Sequence, residues 1–217
     1  MNAIENFADL ISTAPRAHQR EAITISRNAL IDTIACMFAG SASPVAEKTL
    51  QSVAAWSSGK SAVFGQSVLL NPPFAAMVNG ASAHAFDYDD FDEVANAHPS
   101  AVIFPALLAL AAEHPVKGAD LLDAHIVGVE IMQRLGEAMN MDHYRRGWLS
   151  TLTLGSIGAA AACARLCRFD HAAAAACLSL GASMASGLTN QSGFLAKQLH
   201  PGRPHQHGRL QPGRPQK

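Results

Sequence analysis

Aromatic residues supply only 6% of this 217-residue chain, and charged residues only 15%. So few Phe, Trp and Tyr argue against a strand-rich fold, which favours aromatic and β-branched side chains. So little charge, set against 49% apolar residues, excludes a disordered, fibrous or coiled-coil chain. The formal net charge is −1, which gives no global basis for binding nucleic acid or another polyanion. The four cysteines, Cys36, Cys163, Cys167 and Cys177, contain no CxxC pair, which speaks against a disulfide framework and a zinc ribbon. Cys163 and Cys167 share a helix face, but no nearby His or Cys completes a tetrahedron, so they read as small packing residues. No charged segment leads into an apolar stretch near Met1, and the apolar runs stop short of the ~18 residues that span a bilayer. The longest, 101–112, is interrupted by Pro105. The expectation is a soluble, cytoplasmic chain with no membrane or nucleic-acid partner.

What the chain has in quantity is alanine, 41 residues. Alanine is the best helix former, and small side chains let helix axes approach closely. The length suits one domain with its own core. The predicted fold is therefore all-α, a helical bundle with small-residue-packed central helices. Apolar spacing predicts a helix over 18–39, stopped by Gly40, and Ser43-Pro44 opens a second that ends near Gly59. Residues 61–70 read as a short extended connector. Asn71-Pro72-Pro73 opens a helix running toward Asp87, and Ser100 caps a buried helix over 101–113. A long amphipathic helix is predicted over 117–138, followed by two helices rich in Ala, Gly, Ser and Cys over 152–167 and 171–188. Residues 1–200 form the predicted domain. Residues 201–217 carry four prolines, three glycines, four basic residues and the tetrapeptide PGRP twice, and read as a separate disordered tail. Without that tail the domain holds 12 basic against 17 acidic residues.

The densest chemical feature is His84-Ala-Phe-Asp87-Tyr88-Asp89-Asp90-Phe91-Asp92-Glu93, with five acids in seven residues, followed by His98-Pro99. Placed after a helix, where the macrodipole disfavours negative charge, such a run is costly unless it has a function. An EF-hand loop fails, because counting from Asp87 puts Phe91 at position 5 and Asp92 at position 6, where an acid or amide and a glycine are needed. A Mg²⁺-diphosphate site of the helical terpene-synthase type, built on Asp89, Asp90 and Glu93, fits the DDxx(D/E) spacing, but a second metal motif and the aromatic walls for a carbocation are missing.

A third reading rests on segments in order: Asn79-Gly-Ala-Ser-Ala-His84-Ala-Phe-Asp87-Tyr-Asp89-Asp90, His98-Pro99-Ser100, Gly128-Val-Glu130, Tyr144-Arg145-Arg146-Gly147-Trp148, Thr151-Leu-Thr-Leu-Gly155, Gly158–Ala162 and Lys197-Gln-Leu-His200-Pro-Gly202. From about residue 20 to Arg203 the chain resembles the MmgE/PrpD family, which includes 2-methylcitrate dehydratase and cis-aconitate decarboxylase. The resemblance implies a helical domain that holds most of the site, a second α/β domain closing over it, homodimers, and neither metal nor cofactor. It implies a lyase acting on a small tricarboxylate or hydroxy acid, with dehydration of 2-methylcitrate or a related hydroxy-polycarboxylate as the leading reaction. Asp87, His98 and Lys197 match the family's catalytic motifs. His98, with a reference pKa of ~6.5, suits proton transfer in either direction. Lys197 would hold a substrate carboxylate or stabilise enolate-like charge, and Asp87 would orient His98 or a water. His84, Arg145, Arg146 and His200 are the candidate substrate-binding residues, the arginines through bidentate carboxylate contacts.

The chain departs from the family at three places. Leu149 stands where the family usually carries a His, Phe91 stands where many members carry a Thr, and the family's small-residue helix and second domain are replaced after Gly202 by the proline-rich segment. That ending carries the expectation of a frameshifted or truncated gene and of little activity from this polypeptide alone. A non-catalytic remnant or dimerisation module is the reading that competes with a lyase.

Overall fold

The structure is a computed structural model and describes residues 2–189. Among the described residues eight helices follow in chain order: α1 (Ala3–Thr13), α2 (Arg20–Gly40), α3 (Pro44–Ala54), α4 (Pro72–Ala83), α5 (Ser100–Ala111), α6 (Gly118–Arg145), α7 (Ser150–Leu166) and α8 (His171–Met184). Between α3 and α4 lies one antiparallel hairpin, β1 (Ser61–Ala62) and β2 (Leu69–Leu70), with Ser61 opposite Leu70. The regular structure of the described residues is thus almost entirely α-helical, as the alanine content and the scarcity of aromatics predict.

Local chemistry starts the helices where the sequence places them. Ser43 accepts from the Ala46 amide with Pro44 at the first helical position, and Asn71 does the same for Phe74 ahead of Pro72. Asp170 caps α8 through the Ala173 amide at 2.8 Å. Several boundaries differ from expectation: α3 ends at Ala54 rather than near Gly59, and α8 at Met184 rather than at 188. Helix α1 falls in a stretch with no predicted element; Asn2 and Glu5 form a reciprocal capping box, and the helix buries Ala8 and Ile11. Helix α6 continues to Arg145, well past residue 138. Helix α4 ends at Ala83, with His84 as its C-cap, so Asp87 lies beyond it.

The centre of the bundle is the α6–α7 pair. At their closest approach a Cβ on Gly128 would lie 2.9 Å from the Gly158 carbonyl oxygen, and one on Gly158 would lie 2.5 Å from Met132 Cγ. Ile103 and Phe104 of α5, Met132 of α6 and Leu154 of α7 fill the core beside this seam. A second cluster joins Ile11 of α1 to Ile131 of α6, Ala161 and Ala164 of α7, and Leu178 of α8. Helix α2 is long and apolar enough to cross a membrane by length and composition alone. It carries Arg20, Glu21, Arg27 and Asp32, and here it packs on α4, α5 and α6.

Candidate functional site

The segment between α4 and α5 is an ordered loop, and it distributes its acids to separate partners. Asp90 accepts from the backbone amide of Ser100 at 3.1 Å and from the Ser100 hydroxyl. Its carboxylate therefore sits at the N-terminus of α5, where a negative charge is favoured. Ser100 was the expected cap; the structure makes it the first residue of α5, and Asp90 supplies the capping carboxylate across the loop. Asp92 accepts from the Ala95 amide at 2.7 Å and from Gln133 Nε2 at 2.6 Å, closing the 92–97 turn onto α6. Glu93 is exposed. Asp89, Asp90 and Glu93 therefore lie in a loop rather than on one helix face and form no three-carboxylate group, so the geometry the diphosphate reading requires is not met.

Asp89 takes a different role. Its side chain is fully buried, and both carboxylate oxygens lie 2.9 Å from His84 Nδ1. Its Oδ2 is also 3.3 Å from His98 Nδ1, an ion-pair distance off the line of a good hydrogen bond. The two imidazoles meet edge to face with centroids 4.7 Å apart. An ionised carboxylate only accepts, so the hydrogen on each ring is drawn to Nδ1, and each Nε2 turns to the other side. There both meet Asp87, whose Oδ1 is 3.4 Å from His84 Nε2 and 3.7 Å from His98 Nε2. Asp87 adopts φ +59°, in the left-handed region that Asp tolerates better than most residues. The adjacency of His84 and Asp87 thus comes from a turn beyond α4, not from a shared helix face as their spacing suggests.

The buried carboxylates and His98 shift one another's titration. Burial works to raise the Asp89 carboxyl, but the hydrogen bond from His84 and the neighbouring His98 more than offset it and hold the pKa at about 2. Burial lowers His98, and the Asp89 and Asp87 carboxylates outweigh that and raise it above its ordinary value. Burial and the charge of Asp89 raise Asp90 against the two Ser100 hydrogen bonds. His98 is further fixed by its amide, which donates to Thr151 Oγ1 at 3.1 Å, tying the loop to the first turn of α7.

Behind this group runs a second polar chain. Ser100 Oγ donates to Asp90 and so accepts from His125 Nε2 at 2.9 Å, which leaves His125 Nδ1 to accept from Ser26 at 3.0 Å. The His125 ring stacks on Phe104 at 4.1 Å, and burial pushes its pKa down to about 3. His125 and Asp90 also line a cavity of about 450 Å³ between α2, α6 and the loop, with Asn28, Asp32, Phe91 and Gln133. Phe91 stands between this cavity and His98, meeting the imidazole edge-on at 5.3 Å.

The structure thus brings together three of the sequence candidates, His84, Asp87 and His98, and adds Asp89 as the residue that touches both rings. Asp87 is the orienting carboxylate that the resemblance points to; by geometry Asp89 holds that position, and Asp87 faces the opposite nitrogens. Arg145 and Arg146 are exposed at the end of α6. Arg145 pairs with Asp142, and no ion pair joins either arginine to the His84–His98 group. Lys197 and His200 lie outside the described residues. Leu149 is fully buried ahead of α7, with its amide donating to the Gly187 carbonyl at 3.1 Å.

Comparison with known proteins bears on this loop and the bundle around it. The model of the MmgE/PrpD N-terminal domain matches residues 5–210. The chain belongs to the MmgE/PrpD family. Among its relatives is human cis-aconitate decarboxylase, 31% identical over 212 residues, which covers 94% of this chain and 44% of the human protein. A cis-aconitate decarboxylase-like protein of Aspergillus oryzae is 33% identical over 175 residues, 74% of this chain and 36% of that protein. The cis-aconitate decarboxylase of Aspergillus terreus is 30% identical over 181 residues, 80% of this chain and 37% of the fungal protein. This MmgE/PrpD chain therefore spans less than half the length of these relatives.

Proposed function

We propose that this chain supplies the helical part of a lyase site for a small tricarboxylate, with His98 as the proton-transfer group. The observation that supports this reading is the placement of one buried carboxylate, Asp89, against the ring nitrogens of both His84 and His98, so that both Nε2 atoms turn toward Asp87. In decarboxylation of a cis-aconitate-like substrate, the bond to one carboxylate breaks and CO₂ leaves. The electron pair stays on the adjacent carbon, and a proton from imidazolium His98 completes the product. Dehydration of 2-methylcitrate would use the same nitrogen as a base and a second group as the acid for the departing hydroxyl. The names of the relatives favour decarboxylation as the first reaction to test. The second histidine, His84, next to Asp87 keeps dehydration as the other.

The test incubates the full chain with cis-aconitate and, separately, 2-methylcitrate, and follows products by proton NMR. His98→Ala is expected to cost ~10²–10⁴ in rate while leaving the circular dichroism of the bundle unchanged. A wild-type rate in that variant would refute the assignment. No turnover of either substrate by the folded chain would instead favour the non-catalytic, dimerising reading. Homodimerisation itself is proposed, supported by the exposed Ile25, Ile31 and Phe38 on α2; sedimentation of the chain tests it.

A further inference from the structure

We propose that His84 Nε2, His98 Nε2 and Asp87 form a three-donor site for a divalent transition-metal ion of the zinc class. A tetrahedral zinc ion with bonds of about 2.0–2.1 Å keeps its nitrogen and oxygen donors about 3.3 Å apart. Asp87 Oδ1 lies 3.4 Å from His84 Nε2 and 3.7 Å from His98 Nε2, so each of these two pairs needs to close by no more than a few tenths of an ångström. One donor atom from each of His84, Asp87, Asp89 and His98 lies within 4.8 Å of the others, and three of the four residues are buried.

The surroundings supply what a metal centre needs outside its ligands. Ligating imidazoles usually give their other N–H to a carboxylate, which fixes the tautomer and the ring direction. Asp89 takes the Nδ1 hydrogen of His84 at 2.9 Å and sets its other oxygen 3.3 Å from His98 Nδ1, at ion-pair distance. Asp87 and Asp89 together bring two negative charges to one divalent cation. The imidazole and carboxylate donors are the borderline-to-hard set that suits zinc, cobalt or manganese rather than copper(I).

The site stands on geometry and does not depend on the lyase reading. One corollary does rest on that reading: a bound ion occupies His98 Nε2, the nitrogen proposed to move the proton, so zinc inhibits turnover.

The test uses the full chain, stripped with a chelator and dialysed. Zinc chloride is titrated in competition with a chromophoric chelator, and cobalt chloride is titrated in parallel with its visible absorption recorded. The expected result is one equivalent bound at micromolar protein, with the intense visible bands of four-coordinate cobalt. Asp89→Asn weakens binding by about 10–100-fold, and Asp87→Asn by at least as much. No uptake from an equimolar micromolar mixture overturns the site. So does equal uptake by wild type and Asp87→Asn, which assigns the ion to other histidines such as His205 and His207. Because either variant can disturb the loop, long-range ¹H–¹⁵N spectra of the wild-type histidines provide a second reading. Zinc shifts the Nε2 signals of His84 and His98 and spares His125; unchanged His84 and His98 signals overturn the proposal.

Discussion

Replacing Arg165 with Met tests how the amino-terminal helix is held to the bundle. Arg165 stands in the last turn of α7 and is 1% exposed. Its Nε and Nη2 donate to the two oxygens of Asp123 at 2.8 and 2.9 Å. Nη1 donates to the Ile11 carbonyl at 2.7 Å, and Nη2 also reaches the Ala14 and Pro15 carbonyls at 2.9 and 3.3 Å. One guanidinium thus satisfies the open C-terminal end of α1 and a buried acid of α6. Methionine keeps much of the volume and removes every donor. Breaking a buried ion pair by removing one partner costs ~3–5 kcal/mol. Asp123 keeps Arg16 and His18, each at 2.8 Å, which moderates its share, but each carbonyl left unsatisfied adds ~1–3 kcal/mol.

Arg16 and His18 hold the ion-pair cost to its lower end, and of the three carbonyl residues Ile11 is buried, Ala14 half-buried and Pro15 exposed to water, so the loss is roughly 4 kcal/mol, against the ~5–15 kcal/mol of a typical domain. With a urea m-value of ~1–3 kcal/mol/M, the unfolding midpoint falls by about 2 M. Hydrogen exchange in α1 accelerates more than exchange in α6, because the lost bonds lead to α1. The double variant Arg165→Met/Asp123→Leu removes the buried acid as well and is expected to be more stable than Arg165→Met alone. A single-variant loss below ~1 kcal/mol, or a double variant as weak as the two singles added together, would refute this account.

Two further outcomes follow from particular groups. His125 is buried and neutral, with its pKa lowered from 6.5 to about 3, so the unfolded chain binds the extra proton first as the solution is acidified. Its contribution is complete above about pH 6.5 and is lost as pH falls toward 3, amounting to about 2 kcal/mol between pH 6.5 and 5. Urea unfolding at those two pH values should show that loss in wild type and much less of it in His125→Gln. Gly158→Ala sets a Cβ 2.5 Å from Met132 Cγ and is expected to cost ~1–3 kcal/mol, whereas Gly118→Ala meets nothing within 4 Å and should be neutral or stabilising; parallel thermal melts decide this.

Helix starts were legible because their causes are local. Ser43-Pro44 and Asn71-Pro72 each place a capping oxygen and a preset φ within a few residues, and the structure begins α3 and α4 there. Helix α1 carried the same kind of signal in Asn2 and Glu5, with Ile4, Phe7, Ala8 and Ile11 on a helical stripe, but no long amphipathic run to draw attention to it. Its partners are distant in sequence: Ile11 packs on Ile131 and Leu178, and its carbonyl accepts from Arg165, more than 150 positions away.

The candidate site divides in the same way. Composition and motif order marked the 84–98 stretch, its two histidines and its acids as the chemical centre, because those depend only on which residues are present. Which acid serves which partner was settled by packing. Asp90 is fixed by Ser100 at the start of α5, Asp92 by Gln133 of α6, and Asp89 by two imidazoles brought together across a loop that passes through positive φ at Asp87 and Asn96. Spacing along a chain sets side-chain direction only where the backbone is periodic. In a loop between helices, direction is set by what the rest of the bundle brings near, and that is why Asp89 emerged only from the folded structure.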